Sequence, residues 1–181
     1  MNLFLSPHND DETLFGAFTL LRDKPLVLVI TDGWIQYNRG DLGCHADIRR
    51  AETLRAMEIL GCSVAFSGIK DTELNAGNLA ARLEPFKHLG FEKIYAPAIQ
   101  GGNPQHDTIG KVASEIFADK LHAYTTYTKT ELWTKGSIEI VPTPEEKELK
   151  EKALWCYQSQ IKLPATRPHF EAVMDKSEWL I

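Results

Sequence analysis

Cysteine is scarce in this chain and has no pattern. Cys44, Cys62 and Cys156 lie far apart, and no Cys-x-x-Cys pair occurs. An odd, sparse count argues against a disulfide framework and fits a reducing, cytoplasmic setting. Without paired thiols, a thiolate zinc knuckle is a poor reading too. Long apolar runs are also missing, so no segment reads as a membrane-spanning helix. The opening MNLFLSPHNDDE lacks a basic start and reaches acidic residues by Asp10, unlike a secretory signal. Basic clusters are as rare. The formal net charge is −5 and the densest basic spot is Arg49-Arg50 inside a mixed helix, which argues against a nucleic-acid partner. No internal repeat or low-complexity stretch is present. The 181 residues suit one domain, residues 1–181, with a sizeable core.

What is present is alternation. Leu3-Phe4-Leu5 is a short apolar run, and Thr13 to Arg22 reads as a helix ended by Asp23-Lys24-Pro25. Leu26 to Ile30 is continuously apolar, as in a strand buried on both faces. A glycine-bearing loop from Thr31 to Cys44 precedes a helix over Ala46 to Leu60, stopped by Gly61. Ser63 to Phe66 and Lys93 to Ile99 read as strands; Leu79 to Leu89 and Thr108 to Leu121 read as helices. Tyr124 to Trp133 and Ser137 to Val141 are β-rich and could pair around Lys135-Gly136. A helix from Pro144 to about Gln160 follows, and the last twenty residues read as loop and tail. Strand and helix in turn imply parallel βαβ units and an α/β layered fold, a mostly parallel sheet flanked by helices, with a β-rich addition in the C-terminal third. Ligands of such sheets bind beyond the carboxyl ends of the strands.

Two polar clusters sit at such ends. The first, Ser6-Pro7-His8-Asn9-Asp10-Asp11-Glu12, packs one imidazole and three carboxylates into a strand-to-helix turn. Acids so crowded repel unless a cation neutralises them. His8 and Asp11, three apart, can face one metal, and zinc accepts both donor types while keeping a position open for water. Asp10, between them, could reach that water as a general base. The alternative is that Asn9 or Asp10 is a helix N-cap and the acids only favour the first turn. The second cluster, Gln100-Gly101-Gly102-Asn103-Pro104-Gln105-His106-Asp107, offers His106 as a third ligand. Taken alone, His106 reads better as a loop histidine capping a helix, with Asp107 favouring its dipole. His45, His88, His122 and His169 read as surface or structural. Trp34 and Tyr37 could stack on a sugar or pack their loop.

SPHNDDETLFGA resembles the first motif of the PIG-L, or LmbE-like, de-N-acetylases, usually a small residue followed by His-Pro-Asp-Asp-Glu. NPQHDTIG resembles their second, usually His-Pro-Asp-His. RRAETLRAMEILGC, GIKDTEL and KALWCYQSQ are similar to further family segments, so the resemblance spans roughly residues 1 to 160. It implies a Rossmann-like fold, one zinc ion and hydrolysis of N-acetyl groups on amino sugars or sugar conjugates. It places zinc on His8, Asp11 and His106, makes Asp10 the general base, and ties Arg49 and Asp71 to substrate contact. Asn9 replaces the proline of the first motif, a change confined to a turn. Asn103 replaces the first histidine of the second. An amide can donate a hydrogen bond to an oxyanion but cannot deliver a proton. The sequence therefore leads to a zinc-dependent deacetylase acting on a small N-acylated sugar, whether alone or as an oligomer. The alternative is a weakened relative that binds a sugar or nucleotide conjugate without efficient hydrolysis. A metal-dependent ester or phosphate hydrolase is a third option, though two-metal phosphate chemistry would want more carboxylates.

Overall fold

The computed structural model describes residues 1–33 and 46–181. Trp34, Tyr37, Cys44 and His45 lie outside the described residues. In chain order the elements are β1 (Leu3–Ser6), α1 (Asp11–Asp23), β2 (Leu26–Thr31), α2 (Ala46–Leu60), β3 (Val64–Ile69) and α3 (Ala76–Leu83). A 3₁₀ turn at Glu84–His88 leads to β4 (Ile94–Pro97), α4 (Pro104–Phe117) and β5 (Leu121–Tyr124). The remainder holds β6 (Ile138–Ile140), α5 (Pro144–Leu154), α6 (Gln158–Ile161), α7 (Arg167–Val173) and β7 (Glu178–Leu180).

The apolar strands are continuous because each faces two cores. Phe4, Val27, Val29, Tyr95 and Tyr124 point to one side, against Leu14, Phe15 and Leu20 of α1, Met57 and Leu60 of α2, and the helices near the C-terminus. Their neighbours Leu3, Leu5, Leu28, Ile30, Ile94 and Ala96 point to the other, against α3 and α4. Side chains that alternate across a pleat thus require apolar residues at every position when both faces are covered.

The sheet order is β3-β2-β1-β4-β5-β7-β6. β1 pairs in parallel with β2 and β4, β2 with β3, and β4 with β5, whereas β7 runs antiparallel to β5 and β6. From β1 the chain winds outward to β3, then crosses back to β4 on the other side of β1. The order reverses between β1 and β4, so the loops leaving their carboxyl ends diverge and open a crevice. Both polar clusters lie there. Among the described residues no helix is long and apolar enough to cross a membrane.

The structure departs from the sequence-based expectations in five places, the first being that the helix expected to reach Leu121 ends at Phe117 and Leu121 opens β5. Helix α4 begins at Pro104, not Thr108, because Asn103 caps it and Pro104 fills its first turn. The helix expected over Leu79 to Leu89 gives way to a 3₁₀ turn at Glu84, whose next residue is Pro85. Residues 125–137 are irregular rather than strand. The β-rich addition is instead β6 against β7, Ile138 opposite Leu180, so no hairpin forms around Gly136. The helix from Pro144 breaks after Leu154, and the expected tail holds α7 and β7.

What ties that tail to the rest is a buried ion pair. Lys150 of α5 donates to Glu178 Oε1 at 2.9 Å and to the Leu14 carbonyl at 3.0 Å, its ammonium lying 4.6 Å from the Phe18 ring centre. Glu178 of β7 also accepts from the Phe18 N–H at 3.0 Å. Both side chains are almost fully buried, and burial pushes the Glu178 carboxyl up while Lys150 pulls it down. Removing one partner strands the other, at a cost of about 3–5 kcal/mol. We expect Glu178→Ala to lower Tm by roughly 6–20 °C at the usual sensitivity of chains this size. Lys150→Met with Glu178→Leu should recover part of that loss in thermal denaturation. Equal losses in single and double variants would show that the pair is not what holds β7.

Candidate metal and catalytic site

The turn after β1 is held from beneath by Glu12. Its buried carboxylate accepts from Ser6 Oγ at 2.6 Å, from the Asp10 N–H at 3.2 Å and from the Tyr157 hydroxyl. Burial raises its pKa, and the Ser6 and Tyr157 hydrogen bonds oppose that. Above it Asp10 adopts φ 147°, a region side chains rarely enter, and one that costs about 1–3 kcal/mol. Asp10 stands at the N-cap position of α1 but makes no side-chain capping bond. Its carboxylate instead meets Arg49 Nη2 at 3.3 Å.

Arg49, from α2, is itself buried. It donates to the Asn9 carbonyl at 2.8 Å and to the Gly33 carbonyl at 2.9 Å. A Cβ at Gly33 would lie 2.6 Å from Arg49 Nη1, so only glycine permits that approach. Asn9 is also buried, and its Oδ1 accepts from Thr53 of α2 at 3.1 Å. Asp71, just beyond β3, accepts from the Gly33 N–H at 3.2 Å.

The three expected ligands converge. His8 Nδ1 lies 2.7 Å from Asp11 Oδ2, His106 Nε2 3.0 Å from the same oxygen, and the two imidazole nitrogens 3.3 Å apart. His8, Asp11 and His106 form a group able to hold one metal ion. The donor set of two imidazoles and a carboxylate fits zinc in a catalytic arrangement. Outer nitrogens are anchored as well: His8 Nε2 meets the Gln105 amide oxygen, and His106 Nδ1 lies 3.5 Å from Thr126 Oγ1. With Nε2 donating to Gln105, neutral His8 turns the Nδ1 lone pair toward Asp11 and His106.

Asn103 caps α4. Its Oδ1 accepts from the Gln105 N–H at 2.8 Å, and its Nδ2 donates to the Tyr127 hydroxyl at 3.2 Å. His8, Asp10, Asp11, Arg49, Asp71, Asn103 and Gln105 border one cavity of about 550 Å³. Tyr127, Gln160, His169 and Phe170 also line it. Tyr127, His169 and Phe170 have no sequence signal of their own. His169, read as surface or structural, lines the cavity because α7 packs against α1. Gln160 belongs to the Ser-Gln of KALWCYQSQ, the one hint available.

Charges in the cluster shift one another. Burial pushes the Asp10 carboxyl up to about 8, with Arg49 opposing and Asp11 adding. Burial alone would lower His8, but the Asp11 carboxylate overrides it and carries the imidazole up to about 9. Asp11 is opposed by its own burial yet held well below the usual range by His106 and His8. Burial and the nearby Asp11 charge also push Tyr127 up, so its hydroxyl stays protonated.

A family model described as PIG-L, GlcNAc-PI de-N-acetylase, matches residues 3–117. No curated protein sequence matches the chain. Solved structures share the fold. A deacetylase triple mutant of the teicoplanin biosynthetic pathway superposes at TM-score 0.75 with 18% identity, over 96% of this chain and 87% of that one. N,N'-diacetylchitobiose deacetylase from Pyrococcus horikoshii gives 0.71 and 20%, over 96% and 74%. GalB, a 4-carboxy-2-hydroxymuconate hydratase from Pseudomonas putida KT2440, gives 0.72 and 17%, over 95% and 82%. At such identities the likeness establishes the fold alone, and a hydratase among the neighbours means the fold does not fix the reaction.

A proton on His8 Nδ1 occupies the direction a metal would take. Its raised pKa means that metal and proton compete below about pH 9. We expect apparent zinc affinity to rise about tenfold per pH unit from pH 6.5 toward 9 and then level. Competition titrations with a chelating indicator check this. A flat profile would mean that His8 is already neutral at pH 6.5.

Proposed function

The chain belongs to the PIG-L family of GlcNAc-PI de-N-acetylases, and from that premise we propose that residues 1–181 act as one zinc-dependent hydrolase domain. It removes an acetyl or related acyl group from the nitrogen of an amino sugar or sugar conjugate. The observation that carries this reading is the convergence of His8 Nδ1, Asp11 Oδ2 and His106 Nε2 beside the uncapped carboxylate of Asp10. A cytoplasmic setting belongs to the same reading and is supported by the free thiols of Cys62 and Cys156.

Held by those three side chains, zinc would supply Lewis acidity, which acidifies water and polarises a carbonyl. Asp10 takes a proton from the water whose oxygen attacks the acyl carbon. When the carbon–nitrogen bond breaks, Asp10 passes that proton to the departing amine. A carboxyl lifted toward neutral pH suits both transfers, since general catalysis works best when pKa and operating pH are close. Arg49 keeps Asp10 aimed into the cavity, and its anchoring to Asn9 and Gly33 leaves it little freedom. Arg49 and Asp71 also stand on the wall where polar sugar groups would contact them.

The test is acetate release by the zinc-loaded full chain from N-acetylglucosamine, N,N'-diacetylchitobiose and N-acetylglucosaminyl lipids. We expect release from at least one. Asp10→Asn should lose about 10²–10⁴-fold in kcat and keep its zinc, whereas His106→Ala should lose the metal, as read by metal analysis. Absence of release from every substrate with zinc bound would favour the binding-only reading. Absence of zinc binding would remove both.

A further inference from the structure

We propose that the hydroxyl of Tyr127 is the protein's hydrogen-bond donor to the acyl oxygen, with Asn103 acting on the reaction only through Tyr127. This deepens the deacetylase reading and rests on it.

Hydrogen-bond directions carry the argument. Asn103 has one amide oxygen and one amino group, and both are committed. The oxygen must be the atom facing the Gln105 N–H, because an amino group there would oppose donor to donor. The amino group therefore faces Tyr127, and the tyrosine oxygen accepts. A phenol that accepts from one neighbour retains its own proton for another. Among the described residues nothing takes that proton. Tyr127 borders the same cavity as His8, Asp10 and Asp11, so a ligand's oxygen there can accept it.

The segment bearing Tyr127 is held before any ligand arrives. Gln100 Oε1 accepts from the Thr126 N–H at 2.7 Å, and Gln100 Nε2 donates to Thr134 at 2.8 Å. Gly102 lies flat on this segment: a Cβ there would sit 2.1 Å from the Tyr127 carbonyl oxygen. The ring packs edge-on to His106, with centroids 5.2 Å apart, and against His169 at 4.6 Å. A fixed donor costs no reorganisation when charge develops on the acyl oxygen. The side chain that the second motif lacks at position 103 is thus replaced in function by one that arrives from beyond β5.

Tyr127→Phe, Asn103→Asp and their combination test this in the zinc-loaded full chain. Aspartate at 103 still caps α4 but presents an acceptor to the phenol and draws its proton away from the cavity. It therefore examines the hydroxyl with the ring retained, should Tyr127→Phe fail to fold. We expect each single variant to lose about 10²–10³-fold in kcat, with KM within about twofold. The combination should be no worse than Tyr127→Phe alone, because both remove one donor. Zinc affinity should hold, while acetate, used as an oxygen probe in calorimetry, binds at least about tenfold more weakly without the hydroxyl, as loss of a hydrogen bond to a charged group implies. Unchanged kcat and acetate affinity in Tyr127→Phe would overturn the proposal. So would losses that multiply in the combination, since Asn103 would then act independently. If the wild type releases no acetate from any sugar, the deacetylase reading falls by itself. Acetate binding still decides Tyr127: weaker binding in Tyr127→Phe supports the donor, and equal or absent binding in both overturns it.

Discussion

Three consecutive acids, Asp10, Asp11 and Glu12, are buried within a single turn, and the site depends on keeping their charges apart. In low dielectric, like charges at such spacing repel strongly, so each must find its own partners. The chain sends them in three directions. Asp10 goes to Arg49, Asp11 to His8 and His106, and Glu12 to Ser6 and Tyr157. Consecutive residues of a regular helix diverge by only about 100°. The positive φ of Asp10 supplies the extra turn that frees its carboxylate from capping α1. The strain is sustained from both sides: the Glu12 carboxylate takes the Asp10 N–H, while Arg49 takes the Asp10 carboxylate and the Asn9 carbonyl.

That separation works only where the sheet places its partners. His106 must arrive from β4 and Arg49 from α2, on opposite sides of β1. A sheet that wound in one direction would carry β4 away past β3, and His106 with it. The reversal of strand order at β1 brings both to the same end of one short strand. Gly110, whose added Cβ would lie 2.3 Å from the Pro97 carbonyl, lets α4 press against the end of β4 and keeps His106 close to His8.

The parallel half of the sheet and the pairing of His8 with Asp11 were legible because each rests on local pattern, whereas His106 joined them only through the strand-end rule and the family resemblance. Leu26 to Thr31 is apolar at every position because two cores demand it, and His8 and Asp11 share a turn. The irregular segment 125–137, α7 and β7 were not legible, because nothing local specifies them. Tyr124 to Trp133 has strand composition, but the edge of β5 is paired by β7, which is anchored from below by Lys150 and Glu178. A buried ion pair between residues 28 apart leaves no periodic trace. The same applies to Tyr127, which enters the site by hydrogen bonds to Asn103 and backbone contact with Gly102. The helix start at Pro104 could have been read: asparagine followed by proline is an N-cap and first-turn signature.

Three neutral amides remain, and they share a logic. Asn9, Asn103 and Gln105 stand where the two motifs, as usually written, have proline, histidine and aspartate. Asn103 and Gln105 each both donate and accept, so each orients two neighbours without adding charge, whereas Asn9 accepts from Thr53 alone. Asn103 joins the start of α4 to Tyr127. Gln105 joins His8 to the Asp71 carbonyl, donating to the latter at 2.7 Å. An amide behind His8 in place of a carboxylate leaves the imidazole less basic, which loosens its hold on a cation. It also leaves one negative charge fewer beside His8 and the Asp10–Asp11–Glu12 turn.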